Sequence, residues 1–505
     1  MSSTANLYDS VPYPSLAFLQ THPDRLAVMG TLHGMTPASV EHCRVLELAC
    51  GNGSNLTPMA YGLPGSEFVG VDLAAKPVEF AQQRIRRLGL KNIRIEQMDL
   101  MGIGADFGKF DYIIAHGVYA WVPESVQEKI LAICGANLHT NGVAFVSYNT
   151  NPPGRVRQIL REMLQFHERR SNRSSHVSGD RVKAGRDFLE SVLNAADART
   201  PWTALLQDEM KLMFNRDENV VYHDDLAESF SPVLFGDFVA RAEHYGLQYL
   251  SEAAFSDLLA PGLDAEASAA LGAFAGDDLI ARQQYLDFAR YRRFRQTLLC
   301  HSETKLRREE VLECARNLLV ASPMRTSAEL ADGSVEFANS RGHGTLTTNN
   351  PVIIAVLRRL GQIWPRAVRF EDLATLALPL VPEAEQTETV TGLAEAMLNL
   401  AANQLVDLRT YELPLAVRVS EKPAASLLAR LMVQEGGTVT TLLHTHLHIE
   451  DDRGRKFLQL LDGTRDRQTL TDALAKEFPT DSRETIFKQV DENLVNFYRM
   501  GLLVA

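Results

Sequence analysis

The sequence predicts an α/β protein: a parallel sheet covered by helices, then a mostly helical middle region, then a small α+β region at the carboxyl end. Residues 41–150 alternate short apolar runs with segments of helical periodicity, which is typical of a parallel sheet. Beyond residue 160 helical patterns dominate, and after residue 411 helix and strand patterns mix. The 505 residues allow about three domains at ~150 residues each.

Five apolar runs predict the strands of the sheet, at residues 44–48, 67–71, 92–95, 110–115 and 142–148. Apolar residues at helical spacing predict a helix over 76–88, which Gly89 ends. Pro123 begins a second helix that runs to Asn137. Strands and helices therefore alternate along this part of the chain.

The later part of the chain predicts long helices over 278–300 and 307–320, separated by linkers or loops at 261–278 and 322–350. A helix starts near Pro351, and a polar break at 382–387 precedes the last region. There the patterns predict a helix over 424–434, a strand over 439–449 and a helix over 469–478.

Charge and cysteine content exclude several classes of protein. Lys and Arg total 51 and Asp and Glu total 63, so the net charge is −12 and we predict no DNA partner. The five cysteines form no CxxC pair, which argues against a structural zinc cluster and a disulfide framework. The first residues show no signal peptide, and no apolar stretch reaches ~18 residues, so we expect a cytoplasmic chain without membrane insertion.

Acidic residues and glycines gather where the first three strands end. Glu47, Gly51 and Gly53 lie at the end of the first strand, Asp72 ends the second, and Asp99 ends the third. Ligands bind at the carboxyl ends of parallel strands, and a carboxylate such as Asp72 can accept both ribose hydroxyls of a nucleoside. One acid could be incidental to an ordinary α/β turn, but three at successive strand ends indicate a nucleoside-containing ligand.

A nicotinamide cofactor is the obvious competitor for this turn. The dinucleotide fingerprint needs a third glycine, but Leu56 stands at that position. Glu47 would also lie close to a pyrophosphate, where its charge is unfavourable. The turn suits a ligand that carries an amino group and a sulfonium.

The turn at 45–53, together with Asp72 and Asp99, resembles the motifs of class I S-adenosylmethionine (SAM) methyltransferases. Further segments narrow the resemblance to bacterial methyltransferases with a methyltransferase regulatory domain, which include the rickettsial outer membrane protein lysine methyltransferases. These segments are 8–14, 21–26, 116–123, 146–150, 222–226, 290–296 and 461–467.

The resemblance implies an amino-terminal lid segment (1–40), a Rossmann-like SAM-binding domain (41–165), a helical regulatory domain (166–305), a helical domain (306–410) and a winged-helix-like domain (411–505). SAM would be the cofactor and S-adenosylhomocysteine the product. The partner would be a protein substrate with accessible lysines, and a homodimer is possible.

The resemblance also implies the site. Glu47, Gly51 and Gly53 would line the methionine part of SAM, Asp72 the ribose and Asp99 the adenine. The full set of expected cofactor-binding residues is Glu47, Ala49, Gly51, Gly53, Asp72, Leu73, Asp99, Leu100, His116, Tyr8 and Tyr13, with the two tyrosines in a lid.

Two positions depart from the family pattern. Ala49 replaces the first glycine of the turn, a small change that should preserve cofactor binding. Residues 151–154, Asn-Pro-Pro-Gly, replace an aromatic-Pro-Gly-Trp segment, which bears on the identity of the substrate. The same segment imitates a nucleobase methyltransferase motif, but it follows the fifth strand rather than the fourth, and we interpret it as a turn.

Tyr119, Trp121 and His116 are the candidate catalytic residues, because they follow the fourth strand where the acceptor is expected. A lysine with a pKa of ~10.4 must lose its proton before transfer, and a desolvated aromatic cavity favours that loss. The alternatives are that Tyr119 and Trp121 are core aromatics and that His116 makes a structural hydrogen bond.

Two other clusters stand out. His444, His446 and His448 would share one face of a strand, as in some zinc sites, but no cysteine lies near them and we predict no metal. Four arginines at 290, 292, 293 and 295 are interpreted as a solvated or salt-bridged helix face rather than a phosphate site.

The sequence therefore predicts a SAM-dependent protein lysine N-methyltransferase, and the resemblance implies an outer membrane protein as its substrate. Two alternatives stay open. The first is a methyltransferase of a small molecule or of RNA, and the second is a SAM-responsive regulatory binding protein.

Overall fold

The computed structural model describes residues 8–14, 16–170, 178–196, 200–227, 229–257, 265–342, 344–479 and 482–504. Its centre is a seven-stranded sheet with the order β3-β2-β1-β4-β5-β7-β6. The strands are β1 Arg44–Leu48, β2 Glu67–Asp72, β3 Ile93–Gln97, β4 Phe110–Ala115, β5 Leu138–Asn149, β6 Leu247–Glu252 and β7 Phe294–His301. Strands β1 to β5 are parallel to one another. Strand β7 is antiparallel to both β5 and β6. The five predicted parallel strands are confirmed.

Helices cover both faces of the sheet. They are α1 Pro23–Leu32, α2 Leu56–Gly62, α3 Ala75–Leu88 and α4 Glu124–Asn137. Successive residues of β1 enter different cores: Val45 packs with Phe68 and Tyr112, whereas Leu46 packs on the other face. This two-sided burial explains the continuous apolar runs in the sequence. Gly89 ends α3 in the left-handed conformation, at φ 68°, as predicted.

The middle region is mostly helical, with α5 Pro153–Arg170, α6 Ser178–Ala195, α7 Pro201–Phe214, α8 Glu218–Asp225, α9 Phe235–Glu243, α10 Ala265–Ala275 and α11 Leu279–Arg290. The predicted helix over 278–300 is wrong beyond residue 290, because Tyr291 turns the chain at φ 51° and β7 follows. The linker predicted over 261–278 instead contains α10; residues 261–264 lie outside the described residues.

Residues 306–410 combine helices with two small sheets, in the orders β11-β10-β9 and β12-β8-β13. The elements are α12 Val311–Ala315, β8 Leu319–Ala321, β9 Met324–Glu329, β10 Val335–Asn339, β11 Thr345–Thr348, α13 Pro351–Ile363, β12 Val368–Arg369, α14 Phe370–Ala377, α15 Gln386–Ala402 and β13 Asp407–Arg409. The predicted helix over 307–320 and the loop over 322–350 are therefore wrong. Strands β9 and β11 are largely exposed, so they lack the apolar alternation that reveals a strand.

The carboxyl-terminal region contains β14 Ala424–Ala425, α16 Leu427–Glu435, β15 Thr438–Thr440, β16 His446–His448, α17 Asp452–Leu460, α18 Arg467–Glu477, α19 Arg483–Arg499 and β17 Leu503–Val504. The strand predicted over 439–449 is instead the hairpin of β15 and β16, since His444 turns the chain at φ 55°. Leu88 of α3 shares an apolar core with Leu428 and Phe457. This region therefore packs directly on the helices of the main sheet.

Single 3-10 turns connect several of these elements, at Leu19–Thr21, Val40–His42, Leu100–Gly102, Ala105–Phe107, Tyr119–Trp121, Phe255–Asp257, Leu378–Leu380 and Glu383–Glu385. Within the described residues, no helix combines the length and the apolar composition that a bilayer crossing requires.

Candidate functional site

The turn after β1 brings backbone rather than side chains to the edge of the sheet. Ala49, Gly51 and Gly53 all adopt left-handed conformations, with φ of 55°, 54° and 67°. A Cβ atom on Gly53 would lie 2.5 Å from the Cδ1 atom of Ile95, so a larger residue would displace that side chain and strain the left-handed backbone. Ala49 is the one residue of these three with a side chain, and its left-handed backbone is a conformation that glycine adopts with less strain.

Glu47 is buried beside this turn, 4% exposed. Its Oε1 atom accepts a hydrogen bond of 2.7 Å from Nδ2 of Asn55, whereas its Oε2 atom is buried without a hydrogen-bond partner among the described residues. Burial raises the pKa of Glu47 to about 7, and the nearby charge of Asp72 adds to this effect. A buried acceptor without a partner is costly unless a ligand completes it, and an ammonium group would do so.

Asp72, at the end of β2, faces the same turn. One carboxylate oxygen accepts the N–H of Gly51 at 2.8 Å, and the other accepts the N–H of Ala74 at 2.9 Å. Burial nevertheless raises the pKa of Asp72 above its usual value. The predicted meeting of Glu47 and Asp72 at one edge of the sheet is confirmed.

Asp99 and Leu73 lie further out on the same edge. Strand β3 ends at Gln97, so Asp99 follows it by two residues and accepts the N–H of Met101 at 2.9 Å. Gln97 donates to the carbonyl oxygen of Leu73 at 3.2 Å, which ties the ends of β2 and β3 together. Leu73 and Asp99 are exposed, whereas Leu100 is buried below them.

The amino-terminal segment lies between the main sheet and α8. Asp9 accepts hydrogen bonds from both the backbone and the side chain of Lys76, each at 2.8 Å. The carbonyl oxygen of Val11 lies 2.8 Å from Nε2 of His223, and the ring of Tyr8 stacks on His223 with centroids 4.3 Å apart.

The edge of the sheet that carries Glu47, Asp72 and Asp99 is the candidate cofactor edge. Tyr8 lies close enough to this edge to sense its charge. Burial first, and then the carboxylates of Asp224 and Asp72, raise the pKa of Tyr8. Tyr13 packs beside it, 6.3 Å away between ring centroids. This position is compatible with the predicted lid, whose residues 1–7 lie outside the described residues.

His116 follows β4 and lies near three aromatic rings, those of Phe18, Phe145 and Phe294. Its Nδ1 atom lies 3.1 Å from Oγ of Ser147, and its ring lies 4.1 Å from that of Phe18. Burial lowers the pKa of His116 to about 4, so the imidazole is neutral at pH 7 and a weak base. The contact with Ser147 matches the structural hydrogen bond considered from the sequence.

The structure separates Tyr119 from Trp121. Tyr119 is fully buried, with its ring packed against Tyr148 and Phe238, which matches the interpretation as a core aromatic. Trp121 is half-buried and lies 4.8 Å from the ring of Phe230. Of these two candidates, only Trp121 approaches a surface that a substrate could reach.

That surface is an open cleft of about 210 Å³ between the end of β5 and helices α5 and α7. It is lined by Asn149, Pro153, Gly154, Arg157, Glu209, Leu212, Met213, Arg216, Phe230, Arg293 and Phe294. Sequence reasoning missed the cleft, because it is assembled from four distant segments. The ring of Phe294 lies 6.3 Å from that of His116, which links the cleft to the end of β4.

Charges in the cleft occur as pairs. Arg293 donates to Glu209 at 3.0 Å, Arg157 to Asp225 at 2.8 Å, and Arg216 to Asp224 at 2.8 Å. Glu209 is 3% exposed, and burial raises its pKa. Each arginine in the lining therefore has a carboxylate beside it, and the cleft carries little net charge.

Arg292, Arg293 and Arg295 form salt bridges, as predicted, although they lie on β7 and its approach rather than on a helix; Arg290, the last residue of α11, forms none among the described residues. Arg295 is fully buried and bonds Glu252 at 2.6 Å and Asp287 at 2.8 Å. Residues 151 and 152 form the predicted turn before α5.

The prediction that three histidines share one strand face is wrong. His446 and His448 are exposed on β16, whereas His444 is buried at the turn of the hairpin. The left-handed backbone at His444 directs its side chain away from the strand.

Three family models match the chain. They are "Methyltransferase domain" over residues 39–185, "Predicted methyltransferase regulatory domain" over 217–301 and "PKMT, C-terminal winged helix domain" over 421–501. Together they span the cofactor edge, the middle region and the carboxyl-terminal region.

Relatives match over nearly the whole length. An uncharacterised protein of Rickettsia prowazekii is 30% identical over 482 residues, which cover 93% of this chain and 85% of that protein. A second one from the same organism is 35% identical over 237 residues, 47% of this chain and 93% of its own length. The structure of PKMT2 from Rickettsia typhi in complex with AdoHcy superposes with a TM-score of 0.85 at 25% identity, covering 98% of this chain and all of that one.

Proposed function

This chain belongs to the family of SAM-dependent methyltransferases that carry a regulatory domain and a PKMT winged-helix domain, and we propose that it methylates lysine side chains of a protein substrate. The single observation that carries the proposal is the acidic edge at the ends of β1 and β2, where Glu47 keeps one buried carboxylate oxygen without a partner. The likeness to PKMT2, a protein lysine methyltransferase, supports the choice of acceptor.

The residues at this edge fit SAM. Glu47 would accept the amino group, the backbone of the turn at Gly51 and Gly53 would lie along the methionine part, and Asp72 would accept the ribose hydroxyls. Asp99 and Leu100 would border the adenine, with Leu73 beside them. When bound, SAM supplies an electrophilic methyl group on a cationic sulfur, and the protein's task is to hold the acceptor in line with it.

The cleft at the end of β5 supports an acceptor with a long apolar stem. Phe230, Phe294, Leu212 and Met213 give it apolar walls on which the methylene groups of a lysine can pack. The cleft meets the end of β4 through the contact of Phe294 with His116. A lysine entering from the surface would therefore point its amine towards the cofactor edge.

The cleft also favours the neutral amine that transfer requires. A lysine ammonium entering it would lose water, and desolvation lowers its pKa. Glu209, the acidic side chain among the described lining residues, pairs with Arg293, and the neighbouring Asp224 and Asp225 pair with Arg216 and Arg157. In this described part of the chain no unpaired carboxylate is left to stabilise the ammonium. His116, with its pKa near 4, is poorly suited to accept the lysine proton, so we assign that proton to solvent before docking.

The proposal also concerns the compartment in which the chain works and the kind of protein that it modifies. The chain carries five free cysteines, all buried, which suits a reducing cytoplasm. An outer membrane protein before export is the substrate that the family resemblance suggests. A homodimer stays a prediction.

The test is methyl transfer from radiolabelled SAM to separated envelope protein, soluble protein, RNA and small-molecule fractions. Label is expected in a protein fraction, and Asp72→Ala should abolish both SAM binding and transfer. Glu79→Ala, which removes an exposed carboxylate from α3 of the same domain, is the matched control and should leave both unchanged.

Label confined to RNA or to small molecules would contradict lysine as the acceptor and favour the alternative methyltransferase. SAM binding without label in any fraction would favour the SAM-responsive binding protein. In that case the loss of binding in Asp72→Ala should also change how the chain binds its partner.

A further inference from the structure

Asn55, two residues after the glycine turn, forms hydrogen bonds with three separate parts of the chain. It is buried, and its Nδ2 atom donates to Oε1 of Glu47 at 2.7 Å and to Oγ1 of Thr21 at 2.9 Å. Its Oδ1 atom accepts the backbone N–H of Phe18 at 2.9 Å and lies 3.1 Å from Nε2 of His444. All the hydrogen-bonding positions of this amide are therefore used.

The orientation of the Asn55 amide follows from these partners. The backbone N–H of Phe18 can only donate, so the amide atom that faces it must be the oxygen. Nε2 of His444 faces the same oxygen, so this nitrogen must carry a proton. His444 is thereby fixed as the neutral imidazole with the proton on Nε2, which agrees with a pKa that burial lowers well below its ordinary value.

His444 belongs to the carboxyl-terminal domain and lies 389 positions from Asn55 in the chain. It occupies the tight turn between β15 and β16, where a left-handed backbone points the imidazole into the protein. Its ring also lies 5.0 Å from that of His22, near the start of α1. The hairpin thus delivers one specific donor to the turn that borders the cofactor edge.

The rest of the carboxyl-terminal domain holds the hairpin in place. Glu435, at the end of α16, bonds Arg84 at 2.8 Å and Arg87 at 2.9 Å, both on α3. The backbone N–H of Leu427 donates to the hydroxyl of Tyr61 at 2.9 Å. These contacts connect the winged-helix domain to the helices that follow β1 and β2.

We propose that His444 is a positioning residue for the cofactor: by holding Asn55, it keeps Glu47 oriented so that its Oε2 atom faces the amino group of SAM. The carboxyl-terminal domain then completes the cofactor site without touching the cofactor. This inference rests on the proposed function, because it needs SAM at the acidic edge.

Loss of His444 would weaken the hold on Asn55 and, through Asn55, the hold on Glu47. Oδ1 of Asn55 would lose the donor at 3.1 Å and keep the N–H of Phe18 at 2.9 Å and the hydroxyl of Thr21 at 3.2 Å, so the amide would be held less firmly against rotation about its side-chain bond. Rotation would turn Oδ1 towards the carboxylate of Glu47, which is repulsive, and would remove the donor from Oε1. We therefore expect a loss of SAM affinity of about tenfold, the size typical for a hydrogen bond to a charged group.

The experiment uses the full chain and three variants at position 444. His444→Leu removes the donor. His444→Gln places an amide N–H near the position of Nε2 and should restore the bond. His446→Leu alters an exposed histidine on the same hairpin and is the matched control. SAM affinity is measured by calorimetry, and KM for SAM and kcat are measured in the transfer assay.

The expected result is a Kd and a KM for SAM raised about tenfold in His444→Leu, with kcat at saturating SAM unchanged and His444→Gln within about twofold of wild type. A general loss of structure would instead lower kcat and affinity together and would not be repaired by glutamine. If the leucine variant fails to fold, His444→Asn gives the same prediction, since its amide is too short to reach Asn55.

Wild-type affinity in His444→Leu or His444→Asn would overturn the role of His444, and so would equal weakening in the His446→Leu control. SAM binding is measured without any acceptor, so the two proposals fail separately. A wild-type chain that binds no SAM would contradict the proposed function itself.

Discussion

We predict that cofactor affinity depends on pH near neutrality, because the proposed site places the amino group of SAM on Glu47, whose pKa is raised. The cofactor's ammonium prefers the ionised carboxylate, so binding below the pKa must release a proton from Glu47. With a pKa of about 7 in the free protein, the ionised fraction is about one half at pH 7 and about one eleventh at pH 6. Affinity should therefore fall roughly fivefold between pH 7 and pH 6, and roughly fiftyfold by pH 5.

Over that pH range the cofactor itself changes little, because an α-amino group titrates near ~7.7–8.0 and an α-carboxyl near ~3.3–3.7. The buried histidines closest to the edge, His116 and His444, have lowered pKa values and stay neutral over most of it. The assay is calorimetric titration of SAM at pH 7.0, 6.0 and 5.0 in two buffers of different ionisation enthalpy. At pH 6.0 the buffers should report roughly 0.9 proton released per SAM bound.

Glu47→Gln is the control, because its amide cannot titrate. Its affinity should be lower than wild type at pH 7 and nearly independent of pH. The raised pKa of Glu47 also affects how the stability of the fold depends on pH. Because burial raises the pKa of Glu47 from its usual 4.5 to about 7, this carboxyl destabilises the cofactor-free fold increasingly as pH rises from about 4.5 to about 7, so SAM should stabilise the fold more at pH 7 than at pH 5. A flat affinity in wild type, or the same slope in Glu47→Gln, would refute the reasoning.

Three further predictions concern the strained turn, the buried ion pairs and the amino-terminal segment. Ala49→Gly should raise the free energy of unfolding by about 1 kcal/mol in urea denaturation, because glycine accepts the φ of 55° without strain. Arg295→Met should lower it by about 3–5 kcal/mol, because it leaves Glu252 and Asp287 as buried charges without their arginine. Tyr8→Ala should raise KM for SAM about tenfold in the transfer assay, since it removes the ring stacked on His223 beside the cofactor edge.

Matched variants separate these effects from general damage. Ala60→Gly, within α2, should lower the free energy of unfolding, whereas Ala49→Gly should raise it. Arg94→Met breaks only exposed ion pairs and should lower the free energy of unfolding by less than about 1 kcal/mol. Tyr8→Phe keeps the ring and should retain wild-type KM. Equal effects of Arg295→Met and Arg94→Met, or of both substitutions at Tyr8, would contradict the corresponding account.

The meeting of Glu47, Gly53 and Asp72 at one edge of the sheet could be predicted from the sequence because its features are local. Each of Glu47, Gly53 and Asp72 follows an apolar run whose two-sided burial leaves a clear pattern, and parallel strands bring those ends together. Gly89 ended its helix for an equally local reason, since it takes a left-handed backbone.

Elements that depend on distant partners were not predictable in the same way. Strand β7 carries Arg295 at a buried position, which hides its apolar alternation until Glu252 and Asp287 are known to pair with it. Likewise β9 and β11 expose most of their side chains, so their polar composition indicated a loop.

The same limit applies to the site. Asn55, Glu209 and His444 have no local pattern that marks them, and their roles arise from contacts across 8, 84 and 389 positions of the chain. The first contact could have been suspected from the position of Asn55 beside the turn. The contacts of Glu209 with Arg293 and of His444 with Asn55 could be identified only from the folded structure.

The central claim is that the chain transfers the methyl group of SAM to lysine. The most direct measurement is peptide mass spectrometry of a protein fraction treated with the chain and SAM that carries a deuterated methyl group, alongside Asp72→Ala. The wild-type chain is expected to place deuterated methyl groups on lysine side chains. Asp72→Ala is expected to place none. Deuterated methyl groups only on other side chains, on RNA or on small molecules would contradict it.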